Sequence, residues 1–273
     1  MKNRIFSGVL LVAFLLVIVL FNTTFPLALN IAVGLISAVA VYEGIKAIGL
    51  GSRLYVVVPS MLVALAVQFN EFPDANLIIY ALYFACIFCA QLRYHKEVSF
   101  RDVAVAICLT LMIPLALQCV VLVRSLNVEH GSFYALIAVF AAWIPDTGAF
   151  FAGKFLGKHK LCPVISPKKT VEGFIGGIVS SAIILQLLGF LYTTFVYTGE
   201  NRVSMISMLV IGVFGALVSV LGDLSFSLIK RSYGIKDFGN VIPGHGGILD
   251  RFDSVIFTAP FVYLVTKLLP MIP

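Results

Sequence analysis

Val103-Ala104-Val105-Ala106-Ile107-Cys108-Leu109-Thr110-Leu111-Met112-Ile113-Pro114-Leu115-Ala116-Leu117-Gln118-Cys119-Val120-Val121-Leu122-Val123 carries no charge between Asp102 and Arg124. A helix rises about 1.5 Å per residue, so a run of this length covers the roughly 30 Å of hydrocarbon in a bilayer. Comparable runs recur at 5–21, 27–48, 54–70, 75–92, 133–153, 173–197, 203–224 and 254–270. They are continuously apolar rather than alternating, which selects helices over the strands of a closed barrel. Composition agrees: 60% of the 273 residues are hydrophobic and 12% are charged, where a soluble domain carries about 25% charge. The expected fold is all-α, a polytopic transmembrane helical bundle of about nine spans.

Lys2 and Arg4 ahead of the run 5–21 imitate a secretory leader, but Asn22-Thr23-Thr24-Phe25-Pro26 offers no small-residue cleavage pattern. The run is therefore read as a retained first span. Cys86 and Cys89 form a C-x-x-C inside an apolar run, where thiols serve as packing residues. The five cysteines imply no disulfide framework.

The net charge of +6 raises the question of nucleic acid, and its distribution answers it. With the N-terminus in the cytoplasm and the spans alternating, 16 of the 19 Lys and Arg residues fall on the inner side. Only Arg124, Arg202 and Lys267 fall outside. This is the positive-inside pattern, so the N-terminus is expected to be cytoplasmic and the C-terminus outside. The charge answers to the membrane, and no nucleic-acid partner is expected.

Polarity divides the chain into residues 1–130, a set of bland spans, and residues 131–273, where the polar residues crowd. Five of the seven aspartates lie from Asp146 onward. Glu43, at the inner end of the second run, is read as a snorkelling acid or a partner for Lys46 rather than a chemical group. By topology Asp146, Asp223, Asp250 and Asp253 all fall toward the cytoplasmic ends of their spans. Asp250 and Asp253, three apart, share a face if the last helix has already begun there.

Carboxylates gathered at one depth repel one another and need compensation. A hard divalent cation takes oxygen ligands, and magnesium combines one or two carboxylates with substrate phosphates. Two loops add cations: Lys154 to Lys160 followed by Ser166-Pro167-Lys168-Lys169-Thr170-Val171-Glu172-Gly173, and Lys230-Arg231 through Lys236 to Gly244-His245-Gly246-Gly247 and Arg251. Glycines admit close approach of an anion to the backbone, and lysine and arginine hold phosphates. Topology alone accounts for lysines at inner loops, and a lone histidine is usually structural. It does not account for aspartates where topology asks for lysine. The pattern describes phosphoryl or nucleotidyl transfer at the inner face. A cation transporter, the reading from a different class, would place polar residues in both halves of the bilayer, and this sequence places them on one side.

The run Ser227-Leu228-Ile229-Lys230-Arg231, then Lys236-Asp237-Phe238-Gly239, then Ile242-Pro243-Gly244-His245-Gly246-Gly247-Ile248-Leu249-Asp250-Arg251-Phe252-Asp253, resembles the signature of phosphatidate cytidylyltransferases, also called CDP-diacylglycerol synthases. Ser166 to Gly173 and the Gly222-Asp223 step resemble that family too. The likeness covers about 146–253. It implies that CTP and phosphatidic acid, the latter drawn from the membrane lipids, give CDP-diacylglycerol and pyrophosphate with Mg2+, with room for a second cation. It further implies Asp223, Asp250 and Asp146 at the metal, and Lys169, Asp253 and Arg251 in catalysis. Ser166, Lys168, Thr170, Lys230, Arg231, Lys236, His245, Gly246 and Gly247 then bind substrate. The implied location is the bacterial cytoplasmic membrane, with the site facing the cytoplasm. Another CTP-dependent lipid enzyme, such as a polyprenol kinase, shares these requirements. The bland spans leave room for a homodimer, for which no motif speaks.

Overall fold

A computed structural model of the chain describes residues 25, 27–70, 73–197, 202–241 and 246–272. The expected first span at 5–21 lies outside these residues. The described part is helical, with eight α-helices: α1 Leu27–Ala47, α2 Leu54–Ala66, α3 Pro73–Arg93, α4 Phe100–Ser125, α5 Gly131–Leu156, α6 Val171–Phe195, α7 Met205–Ser232 and α8 Leu249–Leu268. Six of them, α1 and α3 to α7, are long and apolar enough to cross a membrane. The chain is thus a helical integral membrane protein. α2 with its 3-10 continuation, Leu54–Phe69, is shorter. α8 has 20 residues and begins five residues before the expected run, so Asp250, Arg251 and Asp253 all lie within it. Large apolar side chains such as Leu77, Leu82, Ile183, Leu187 and Leu221 are exposed, as a lipid-facing surface requires.

The chain forms two compact units, Met1–Leu122 with Lys230–Phe252, and Val123–Ile229 with Asp253–Pro273. In the first unit α1 ends in a Schellman motif. Gly49 takes φ 86°, its N–H donates to the Lys46 carbonyl, and the Leu50 N–H donates to Ile45. α2 packs on α1, where Gly34 leaves space for Leu65. Its end is a 3-10 turn whose carbonyls would be orphaned in an apolar medium. Gln118 of α4 donates its Nε2 to the Val67 and Asn70 carbonyls at 2.8 and 2.5 Å. Gln68 returns the favour at the proline inside α4, donating to the Pro114 carbonyl at 3.0 Å.

In the second unit α5 and α6 pack through small residues. Added Cβ atoms at Gly148 and Gly176 would overlap Ser180 and Ala152, and one at Gly177 would sit 2.8 Å from the Pro145 carbonyl. A core of Phe133, Tyr134, Ile137, Leu185, Met208 and Ile211 fills the other end. The loop between α5 and α6 carries structure that hydropathy does not announce. Strands β1 Lys160–Cys162 and β2 Ser166–Thr170 pair antiparallel, Lys160 opposite Thr170 and Cys162 opposite Ser166. Thr170 then caps α6, its Oγ1 accepting from the Gly173 N–H at 3.1 Å. Glu172 fastens the hairpin's start: it accepts from the Lys158 and His159 N–H groups and meets the His159 ring at 2.6 Å.

The α5–α6 contact yields a stability prediction. Gly176→Val should lower the thermal midpoint of the purified protein in detergent by the equivalent of ~1–3 kcal/mol. Leu187→Val on the exposed face should leave it nearly unchanged. Equal midpoints would show that the small residues do not set this packing.

Candidate functional site

In the second unit the hairpin delivers Lys169 to α7. The Lys169 Nζ forms an ion pair with Asp223 Oδ2, both side chains about a fifth exposed. Ser227, one helical turn on, places its Oγ 3.4 Å from Asp223 Oδ1. Gly222 lets α7 close onto α8: a Cβ there would lie 3.0 Å from the Asp253 carbonyl and from Phe257. Asp146 of α5 accepts from the Ser254 Oγ at 3.0 Å, and Asp253 Oδ1 accepts from the Ser254 N–H at 2.7 Å. Ser254 therefore joins the Asp146 and Asp253 carboxylates, one through its hydroxyl and the other through its N–H. Asp253 and Ser254 are buried.

In the first unit Asp250 stands in the opening turn of α8 with every oxygen engaged. Its Oδ1 accepts from Lys230 Nζ at 2.8 Å, and its Oδ2 accepts from the Phe238 and Gly247 N–H groups at 2.8 and 3.0 Å. The pair is deeply buried, with Lys230 9% and Asp250 2% exposed at the side chain. Lys230 also lies over the Phe238 ring, 5.3 Å from its centre. Its position in the last turn of α7 follows from that helix's end, a second Schellman motif with Gly234 at φ 67°. Gly246, at φ 83°, needs glycine for its conformation. It leads into Gly247, whose N–H reaches Asp250.

Of the other residues named from sequence, Ser166 opens β2 and Thr170 caps α6. Lys168, Arg231 and Lys236 are exposed. Arg231 donates to the Ile235 carbonyl at 3.1 Å, and Arg251 is half-buried in α8. His245 lies outside the described residues. One contributor went unnamed in the sequence, and Glu43 is read there as a snorkelling acid or a partner for Lys46. Ser254 gives no signal beyond following Asp253. Glu43 is 2% exposed and so does not snorkel; its Oε2 accepts from the Leu249 N–H at 2.8 Å.

Among the described residues no group of three or more His, Cys, Asp or Glu is arranged to hold an ion. The donors present nevertheless fit magnesium in kind, since they are carboxylate oxygens. They fit in number as well, since magnesium takes one or two carboxylates and completes its shell with phosphates and water. Asp223 and Asp250 each already face a lysine ammonium, so both positions call for positive charge.

Removing one member of a buried ion pair strands the other, at a cost of ~3–5 kcal/mol. Lys230→Met should therefore lower the thermal midpoint markedly, while Arg231→Met, next along the chain and exposed, should shift stability by no more than ~0.5 kcal/mol. Thermal unfolding of the two variants side by side checks this. Equal shifts would mean that the Lys230–Asp250 pair contributes nothing to stability.

Residues 2–269 match the pattern of the cytidylyltransferase family. A phosphatidate cytidylyltransferase of Bacillus subtilis is 46% identical over 146 residues, covering 54% of this chain and 51% of that protein. Proteins of the same name are 43% identical in Staphylococcus saprophyticus over 137 residues and 44% in Staphylococcus aureus over 141, each match covering 50% of both chains. The chain thus spans about half the length of the curated relatives it matches. The family match runs through both ion pairs and nearly the whole sequence, and the chain belongs to the cytidylyltransferase family.

Proposed function

We propose that the chain is a phosphatidate cytidylyltransferase of phospholipid biosynthesis. A phosphate oxygen of phosphatidic acid attacks the α-phosphorus of CTP. The bond from that phosphorus to the oxygen bridging to the β-phosphorus breaks, and its electrons leave with pyrophosphate. CDP-diacylglycerol is the product. The observation that carries this reading is Asp250: an acid of the signature segment, buried against Lys230 and two backbone N–H groups beside a glycine pair. The relatives named above support the choice of lipid.

Both reactants are anions, so charge and position set the barrier. Lys169, paired with Asp223, is the proposed clamp on the triphosphate, and a lysine there neutralises charge on the non-reacting oxygens. Lys168 on β2 and Arg231 in the last turn of α7, both exposed, are proposed to draw in the incoming nucleotide. Ser166, Lys236, His245 and the Gly246–Gly247 turn are proposed contacts to phosphates, and Arg251 and Asp253 are proposed to serve at the reacting groups. No residue acts as a covalent nucleophile, because the lipid phosphate already is one. Asp223, Asp146 and Asp250 are each proposed as magnesium ligands, with a second cation allowed. Bound magnesium would neutralise the α- and β-phosphates and stabilise the departing pyrophosphate.

The membrane placement proposed with this function has nine spans, a cytoplasmic N-terminus and an outer C-terminus. The bias of Lys and Arg to one side supports it. In the bacterial cytoplasmic membrane, phosphatidic acid would keep its tails in the bilayer while CTP arrives from the cytoplasm.

Incubation with phosphatidate, magnesium and CTP labelled at the α-phosphate should carry label into the lipid extract, while γ-labelled CTP should carry none. Label from the γ position alone would establish a lipid kinase instead. Asp223→Ala and Asp250→Ala should each reduce turnover by at least ~100-fold in protein that still inserts; near wild-type rates across a magnesium titration would remove these acids from the metal. Lys169→Ala should raise the KM for CTP by ~10-fold or more, the worth of one charge-assisted hydrogen bond, and an unchanged KM would remove Lys169 from the nucleotide.

A further inference from the structure

Glu43 is the buried acid that the proposed chemistry does not use. It lies near the end of α1 and is 2% exposed. Its Oε2 accepts from the Leu249 N–H, the first residue of α8, at 2.8 Å. Its Oε1 has no hydrogen-bond partner among the described residues. The carboxyl is instead pressed against two glycines. A Cβ on Gly239 would sit 2.6 Å from the Glu43 Cδ, and one on Gly247 would sit 2.7 Å from it, with a carboxylate oxygen nearer still to each.

The two glycines are explained by that contact. Neither is at positive φ, since among described glycines only Gly49, Gly234 and Gly246 are. Their backbone conformation would accept a side chain; the space taken by the Glu43 carboxyl would not. The same stretches are held by Asp250, which accepts from the N–H of Phe238, next to Gly239, and from the N–H of Gly247 itself. Residues 238–239 and 246–247 are therefore fixed by two carboxylates. Asp250 binds them by hydrogen bonds. Glu43 fills the gap between them and anchors the start of the helix that carries Asp250. All these residues belong to one compact unit.

We propose that Glu43 is a positioning residue: from α1 it sets the place of the two glycines and the first turn of α8, and through them the orientation of Asp250. The proposal rests on the cytidylyl-transfer reading only for its effect on turnover. It assigns Glu43 a geometric duty, which glutamine can perform: the amide oxygen can accept from Leu249, and the volume is the same.

The test compares the full-length wild type with Glu43→Ala, Glu43→Gln, Gly247→Ala and the Glu43→Ala/Gly247→Ala double variant. With α-labelled CTP and phosphatidate, Glu43→Ala should lower kcat by at least ~10-fold and Glu43→Gln by no more than ~3-fold, as expected when a reacting group is displaced by a fraction of an ångström. Gly247→Ala should also lose at least ~10-fold, since its Cβ displaces the carboxyl. The double variant should be no worse than Glu43→Ala, because the methyl then has room. Additive losses, a Glu43→Gln as poor as Glu43→Ala, or a Glu43→Ala within twofold of wild type would each overturn the proposal. Hydrogen exchange reads the same claim without activity. In Glu43→Ala the Phe238, Gly247 and Leu249 amides should exchange faster while those of Val120 to Val123 in α4 stay protected. Unchanged protection at the three amides overturns the positioning role. A wild type that transfers no label, with faster exchange in Glu43→Ala, removes the cytidylyl-transfer reading and leaves the positioning role standing. If Glu43→Ala does not fold, Glu43→Gln and Gly247→Ala carry both measurements.

Discussion

A carboxylate taken out of water must be met by donors, and in a membrane protein that demand shapes everything around it. Asp250 shows it most clearly. One lysine and two backbone N–H groups reach its two oxygens, at 2.8 to 3.0 Å. Each donor has structural requirements of its own. Lys230 is in place because α7 runs on to Ser232 and stops at a left-handed glycine. The Gly247 N–H is in place because Gly246 adopts a conformation that other residues resist. The start of α8 is in place because Glu43 takes up its Leu249 N–H. Asp223 meets the same demand with Lys169, which arrives on a strand rather than a helix.

That strand depends on the small residues between α5 and α6. Gly148, Ala152 and Gly153 on α5 face Ser180, Gly176 and Gly173 on α6, so the two helices approach closely. The connection between them, residues 157–170, must then turn back on itself. It does so as a hairpin, tied at one end by the Thr170 cap and at the other by Glu172 gripping the Lys158 and His159 amides. A lysine on this hairpin is held more firmly than one on a free loop. Firm placement is what a group needs if it is to neutralise a phosphate without costly reordering.

The helices were legible because the membrane leaves so few options: apolar runs of span length become helices. All eight described helices fall on predicted runs, although α8 begins at Leu249 and not at 254. At this earlier start the Leu249 N–H, which has no partner within the helix, is taken up by Glu43. The hairpin was not legible. Ser166-Pro167-Lys168-Lys169-Thr170 has no alternation and only Thr170 as a β-branched residue, too little to announce a strand, and its pairing follows from the cap and from Glu172. The acids and bases were legible in the sequence as residue types. Their pairings were not: Lys230 and Asp250 are 20 residues apart, and Glu43 meets a backbone group 206 residues away. A local partner, Lys46, looked sufficient for Glu43 only because periodicity sees neighbours in sequence and not the glycines that make room across the fold.

These cations and carboxylates are proposed to serve the joining of a nucleotide to a lipid phosphate. Phosphorus NMR of the complete reaction reads the new bond directly. The expected product is a lipid with a cytidine-linked diphosphate, formed in one-to-one ratio with free pyrophosphate and only when phosphatidate is present. Free CDP with a lipid lacking cytidine would contradict it.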